Sequence, residues 1–163
     1  MKTRTRSLRR VCVAACAIPL LFSGVAAGTA SAAAPAVATQ TSASEILALV
    51  NAERAKANCE PLVENAKLTQ AAQGHAEDMA RNNLTGHTGS DGSNEEARLA
   101  KVGYQWSAWA ENVSGPGYPD SKAHVDGWMN SAGHKGNILN CNFTETGIGV
   151  SGDRAVQMFA RPM

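Results

Sequence analysis

Residues 146–160, TGIGVSGDRAVQMFA, change the period of the chain from helical to two. Ile148 and Val150 alternate before Gly152-Asp153, and Val156, Met158 and Ala160 alternate after it. The pattern predicts two strands joined by a tight hairpin at Gly152-Asp153. Upstream the spacing is helical. Ser42-Ala43-Ser44-Glu45 reads as a capping box ahead of Ile46, Leu49 and Val50, predicting a helix to about Ala57. A second helix is expected from about Ala66 to Asn83, with Leu68, Ala71, Ala72, His75, Ala76 and Met79 on one stripe. Helices first and an antiparallel hairpin last predict an α+β layered domain.

The middle of the chain is more broken. Gly86 and Gly89-Ser90-Asp91-Gly92 predict turns. Ser93-Asn94-Glu95-Glu96 reads as another capping box, opening a short helix through Leu99 and Val102 that stops at Gly103. Trp109 to Ser114 reads as extended, ahead of the Gly115-Pro116-Gly117 turn. Pro119 suits the first turn of a third long helix that buries Val125, Trp128 and Met129.

The first residues are read apart from the fold. Lys2, Arg4, Arg6, Arg9 and Arg10 precede an apolar run from Val11 to about Ala27, and Ala30-Ser31-Ala32 follows. A positive start, an apolar stretch and an A-x-A site predict a secretory signal peptide over residues 1–32. Pro19, Ser23 and Gly24 interrupt the run, which speaks against a stable membrane anchor. Val11-Cys12 after Arg9-Arg10 matches a twin-arginine signal poorly, and little apolar sequence precedes Val13-Ala14-Ala15-Cys16, so ordinary secretion to the extracellular side is the expectation. Residues 33–42, AAPAVATQTS, read as a short flexible segment. Residues 43–163 are long enough for one compact domain.

Removing that leader changes the charge. It holds five of the fifteen Lys and Arg and none of the fourteen Asp and Glu, so ten bases and fourteen acids remain, a net charge of −4. Such a chain does not recommend nucleic acid or an anionic membrane as a partner. The leader also takes Cys12 and Cys16, leaving Cys59 and Cys141. In an oxidising compartment these two form one intramolecular disulfide; in a reducing one they remain free buried thiols.

Four histidines remain. His75 and His124 fall on or beside apolar helix stripes, where a histidine is more often a core residue with one satisfied hydrogen bond than a ligand. His87 and His134 lie in Gly-flanked stretches just after predicted helices, where loop backbone can carry a side chain into a cleft. Glu111-Asn112 places a carboxylate and an amide near Trp106 and Trp109, and an acid in that setting is paired or functional. Two imidazoles and a carboxylate can bind a divalent ion with an open position. With no HExxH pattern or close histidine pair, the residue types alone favour loop histidines in structural hydrogen bonds over a metal site.

Taken in order, several short pieces resemble the CAP superfamily, the domain of cysteine-rich secretory, antigen 5 and pathogenesis-related 1 proteins, in its short bacterial form. They are Val50-Asn51-Ala52-Glu53-Arg54; Leu68, Ala71-Ala72, His75 and Asp78-Met79-Ala80; Gly86-His87-Thr88; Arg98 with Gly103-Tyr104; Glu111-Asn112-Val113; Trp128 to His134 with Asn137-Ile138-Leu139; and Phe143 with Gly147-Ile148-Gly149-Val150. The resemblance implies a three-layer α-β-α sandwich around a small antiparallel sheet, with a cleft where two histidines and two acids converge. By position the histidines are His87 and His134, one acid is Glu111, and the second lies among Asp91, Glu95 and Glu96. With Glu96 assigned to the capping box, Glu95 is chosen, and Asn112 is a further candidate beside Glu111. Ala132 departs from the proline usual before Gly-His, and Ala155-Val156-Gln157 from an aromatic-Thr-Gln pattern.

Functionally the resemblance implies an extracellular binding module, expected to be monomeric. Its His87, His134 and Glu111 would hold a divalent metal, Zn²⁺ first, or a small ligand. The partner would be lipid, sterol-like or protein. Two other classes stand beside it: a structural or interaction protein of the envelope without a working site, and a metal-dependent hydrolase with Glu111 as base. Against turnover, there is no G-x-S-x-G motif.

Overall fold

The computed structural model describes residues 41–163, so the predicted leader and the segment up to residue 40 lie outside the described residues. The chain runs α1 (Ala43–Lys56), β1 (Val63–Glu64), α2 (Ala66–Asn82), α3 (Glu95–Lys101), β2 (Trp106–Ser114), α4 (Ser121–Met129), α5 (Ala132–Ile138), β3 (Glu145–Ser151) and β4 (Arg154–Pro162). The sheet order is β1-β3-β4-β2. β3–β4 and β4–β2 pair antiparallel, and the two-residue β1 adds itself parallel to β3. The hairpin closes where it is predicted, with Ser151 opposite Arg154 and Gly152 at φ +59°.

Strand alternation divides β4 between two cores. Val156, Met158 and Ala160 pack with Leu68, Ala72, Ala76 and Met79 of α2 and with Leu99 of α3. Ala155 and Phe159 pack with Ile46 and Val50 of α1, Val125 and Trp128 of α4, and Ile138 of α5. Helices therefore cover both sheet faces, giving the α-β-α sandwich. α2 lies directly on β3 because the strand carries glycine at two successive inward positions. A Cβ at Gly147 would sit 2.0 Å from the Leu68 carbonyl carbon, and one at Gly149 would sit 2.4 Å from that of Ala72. Ile148, between them, faces the other core.

The helix ends differ in detail from the sequence reading. α1 starts after Ser42, but that side chain caps nothing. Its hydroxyl bonds Ser44 Oγ, and its backbone N–H donates to Ser121 Oγ at 2.8 Å, joining α1 to α4. α3 is capped by Asn94, whose Oδ1 accepts from Ala97 N, so Ser93 is not the cap and Glu96 has no box to complete. α4 spans nine residues and is capped by Asp120, leaving Pro119 just outside it. The stretch expected to be a loop after α4 folds as α5, closed by Lys135 N donating to Ser131 O.

Two devices hold α5. Arg54 is fully buried and donates to the carbonyls of Glu60, Ile138, Asn140 and Phe143 at 2.8–3.0 Å. A cation at the last carbonyls of a helix satisfies acceptors that have no intrahelical partner. Beside it Cys59 and Cys141 form the expected disulfide across 82 residues of sequence. α4 and α5 also satisfy carbonyls of β2: Trp128 Nε1 donates to Val113 O and Asn137 Nδ2 to Glu111 O. Among the described residues no helix is long and apolar enough to cross a membrane.

Candidate functional site

The site is built on β2, on the loop between α2 and α3, and on α5. Glu111 enters from β2 with its side chain wholly excluded from solvent. An ionised carboxylate there needs charge-assisted partners, because an unpaired buried charge is costly. Arg98 of α3 supplies them: Nη2 donates to both carboxylate oxygens, at 3.0 and 2.8 Å. His87 supplies the third, its Nδ1 lying 2.9 Å from Glu111 Oε1.

That third bond fixes the tautomer. A carboxylate already paired with arginine accepts only, so His87 Nδ1 carries the proton, and Nε2 retains a lone pair when the ring is neutral. The hydrogen bond to Glu111 and its charge raise the His87 pKa above the ordinary imidazole value. The His87 ring is 44% exposed, so one edge is held by buried charge and the rest is open.

The loop carrying His87 is pinned from beneath. Arg98 Nη1 donates to His87 O at 2.9 Å and to Ser93 O at 3.2 Å. His75 Nε2 lies 3.0 Å from Gly86 O and must donate there, since a carbonyl cannot. Asp78 accepts from both the backbone N–H and the hydroxyl of Ser90. Thus one core histidine positions the residue next to the exposed one.

The structure brings Glu95 to the same place. It begins α3, and its Oε1 is 3.4 Å from His87 Nδ1. The capping argument used to choose it over Glu96 does not hold, yet Glu95 is the acid beside His87 while Glu96 is exposed. Ligand atoms of His87, Glu95 and Glu111 all lie within 4.8 Å of one another. No such group of three among the described residues includes His134.

His134 sits on α5, not in a loop, and is partly buried. Burial lowers its pKa, and the charge of His87 lowers it further. Asn112 serves as a brace. Its Nδ2 donates to His134 O at 3.1 Å, and its Oδ1 accepts from Asn137 Nδ2 at 2.9 Å. Arg98 and Asn137 are the residues that sequence reading did not place in the site. The signal for Arg98 was available in the buried acid, which requires a cation; nothing local marked Asn137.

Residues 47–160 match the CAP model, the cysteine-rich secretory protein family, and the chain belongs to that family. It is similar to the uncharacterized membrane protein YlbC of Bacillus subtilis, with 33% identity over 121 residues, 74% of this chain and 35% of the relative. It is also similar to YkwD of that organism, with 32% identity over 105 residues, 64% of this chain and 40% of the relative. The chain thus spans well under half the length of these curated relatives. Among solved structures, an extracellular SCP-domain protein from Bacillus anthracis superposes with TM-score 0.70 at 31% identity, covering 72% of this chain and 39% of that one. An outer surface protein from Borrelia burgdorferi gives TM-score 0.66 at 20% identity, covering 72% of this chain and 90% of that one, a likeness of fold alone.

Proposed function

We propose that this chain is an exported extracellular binding module whose cleft holds a divalent metal ion, Zn²⁺ in the first instance, through His87 and His134. The carrying observation is the Arg98–Glu111–His87 relay. It commits Nδ1 of His87 to a carboxylate and leaves Nε2 as donor atom, the arrangement by which metal-binding histidines are oriented and made more basic. Two imidazoles and a carboxylate suit Zn²⁺ with a position left for a ligand. Both Glu111 oxygens are taken by Arg98 and His87, so Glu111 supports the site from behind; Glu95 lies at the same Nδ1 edge of His87, 3.4 Å from it, and would have to turn toward Nε2 to join the histidines. When bound, the ion would supply a Lewis-acid centre for an oxygen or nitrogen donor of a ligand.

The same commitment of Glu111 weighs against its use as a general base, so the hydrolase reading has little to rest on. A binding role for a lipid, sterol-like or protein partner is addressed by mass spectrometry of what co-purifies with the protein. The metal reading is tested by calorimetric titration of the full chain with Zn²⁺. One equivalent is expected to bind, and the His87→Ala/His134→Ala double variant is expected to lose the heat. Equal heat from that variant would end the proposal.

A further inference from the structure

The four-stranded sheet has two edges, and they differ. One is β1, two residues long; the other is β2, nine residues long. An edge strand presents unpaired N–H and C=O groups unless something covers them.

The register says which groups those are. Along an antiparallel pair, alternate residues turn both main-chain groups toward the partner strand or away from it. Ala160 O accepts from Thr144 N on the β3 side, so Ala160 faces away from β2, and Trp109, its partner in register, faces away from β4. Glu111 and Val113 share that parity, and their carbonyls are met from outside the sheet. Asn137 Nδ2 donates to Glu111 O at 3.4 Å and Trp128 Nε1 to Val113 O at 3.1 Å. The helical cover ends there. Trp109 N–H, Trp109 C=O and Glu111 N–H have no hydrogen-bond partner among the described residues.

Nothing blunts this part of the edge. A bulge between Trp106 and Ala108 bounds it, and Ala108, Trp109 and Ala110 carry neither charge nor proline, the usual protections of an exposed edge. At one end, Arg161 stands opposite Ala108 in register and lines an open concavity with Ser107, Ala108 and Asn142. Its guanidinium makes no hydrogen bond or ion pair among the described residues. At the other end the edge runs into the cleft, where Glu111 holds His87 and Asn137 shares α5 with His134.

We propose that the open half of β2 binds an extended peptide as an added antiparallel strand. Only main chain supplies a donor and an acceptor on one residue and a further acceptor two residues away. One peptide residue exchanges both bonds with Trp109, and the residue two before it accepts from Glu111 N–H at the cleft. The residue after the one facing Trp109 lies beside Ala108 and is acidic, meeting Arg161. This inference rests on the binding reading above and names the chemistry of its partner. It draws on no ion, so a chain that takes up no zinc still binds the peptide.

The test is a titration of the ¹⁵N-labelled full chain with the blocked pentapeptide acetyl-Val-Thr-Val-Asp-Thr-amide, whose third residue faces Trp109. In the free chain the amides of Trp109 and Glu111 should exchange with solvent quickly, and those of Ala110 and Asn112, bonded to β4, slowly. Saturating peptide should slow Trp109 and Glu111 at least about fivefold and leave Ala110 and Asn112 as they were, the alternation of an added strand. The same peptide methylated on its third nitrogen should bind at least about tenfold more weakly, because it cannot donate to Trp109 O and carries a methyl between the strands. This control leaves the protein untouched. Arg161→Gln should weaken the unmethylated peptide about threefold, an exposed charge contributing modestly. Absence of saturation, equal binding of the methylated peptide, or no effect of Arg161→Gln would overturn the proposal. So would slow exchange of Trp109 in the peptide-free chain at the mass of a dimer, which would put a second copy on the edge.

Discussion

His75 and His124 on one side, and His87 and His134 on the other, are two pairs of the same residue in opposite settings. The first pair is buried within the helices, each ring with one hydrogen bond, to Gly86 O and to Ser114 Oγ, and with its other nitrogen unpartnered among the described residues. Burial pushes both pKa values down. The second pair is more exposed, and its members differ from each other. A buried carboxylate raises the pKa of His87, while burial lowers that of His134. A histidine becomes available for chemistry here by what is placed behind it. For His87 that is Arg98 and Glu111; for His134 it is a short helix clamped by Arg54, the disulfide and Asn112. The core pair is held by burial and by one hydrogen bond each.

If the cleft pair depends on braces, removing a brace should cost much and should act on the cleft first. Reducing the Cys59–Cys141 bond releases an 82-residue separation, and chain entropy sets the expected loss near about 4.5 kcal/mol. Denaturant unfolding with and without reductant measures it. A loss below about 1 kcal/mol would mean that Arg54 and Asn112 hold α5 without the disulfide. Arg98→Met should cost about 3–5 kcal/mol, because Glu111 is left as an unpaired buried charge. Adding Glu111→Gln should recover part of that loss, and additivity of the two changes would contradict the pairing.

The core pair should respond differently. His75→Leu leaves the Gly86 carbonyl without its donor and should cost about 1–3 kcal/mol, while the heat of zinc binding persists. A smaller effect is expected from pH. The folded-state pKa values of His75 and His124 lie below the unfolded value of about 6.5. As pH falls below that value, the unfolded chain takes up protons that the native core refuses. Stability should therefore decline from about pH 6.5 downward, through the depressed folded values. His87, whose pKa is raised, acts in the opposite sense: its contribution is complete below about pH 6.5 and is lost as pH rises through its folded value. Replacing both core histidines should flatten the acid side of the curve, and an unchanged slope would show that other groups set it.

Much of the fold was legible because its signals are local. The α2 stripe is buried in full as read, and Gly152-Asp153 makes the hairpin. α5 was hidden because Gly133 and Gly136 argue against a helix and its stabilisation comes from Arg54 and Cys59, more than seventy residues upstream. β1 is two residues long, and its pairing with β3 leaves no periodicity to read. The cap at Asn94 rather than Ser93 is a shift of one residue between two good capping types. In the site, the loop position of His87 and the setting of Glu111 were visible as residue patterns. The ion pair with Arg98 is a contact across thirteen residues between a helix and a strand, which spacing does not encode. Asn112 reads as a cleft residue from its place beside Glu111, and its hydrogen bonds make it the strut that carries His134.

The measurement closest to the central claim is a zinc titration of the full chain followed through the ring ¹⁵N resonances of all four histidines. The account predicts that Nε2 of His87 and one ring nitrogen of His134 shift together and saturate at one equivalent, His87 Nδ1 keeps its proton, and His75 and His124 do not move. Movement of His75 or His124 instead, or saturation of His87 without His134, would contradict it.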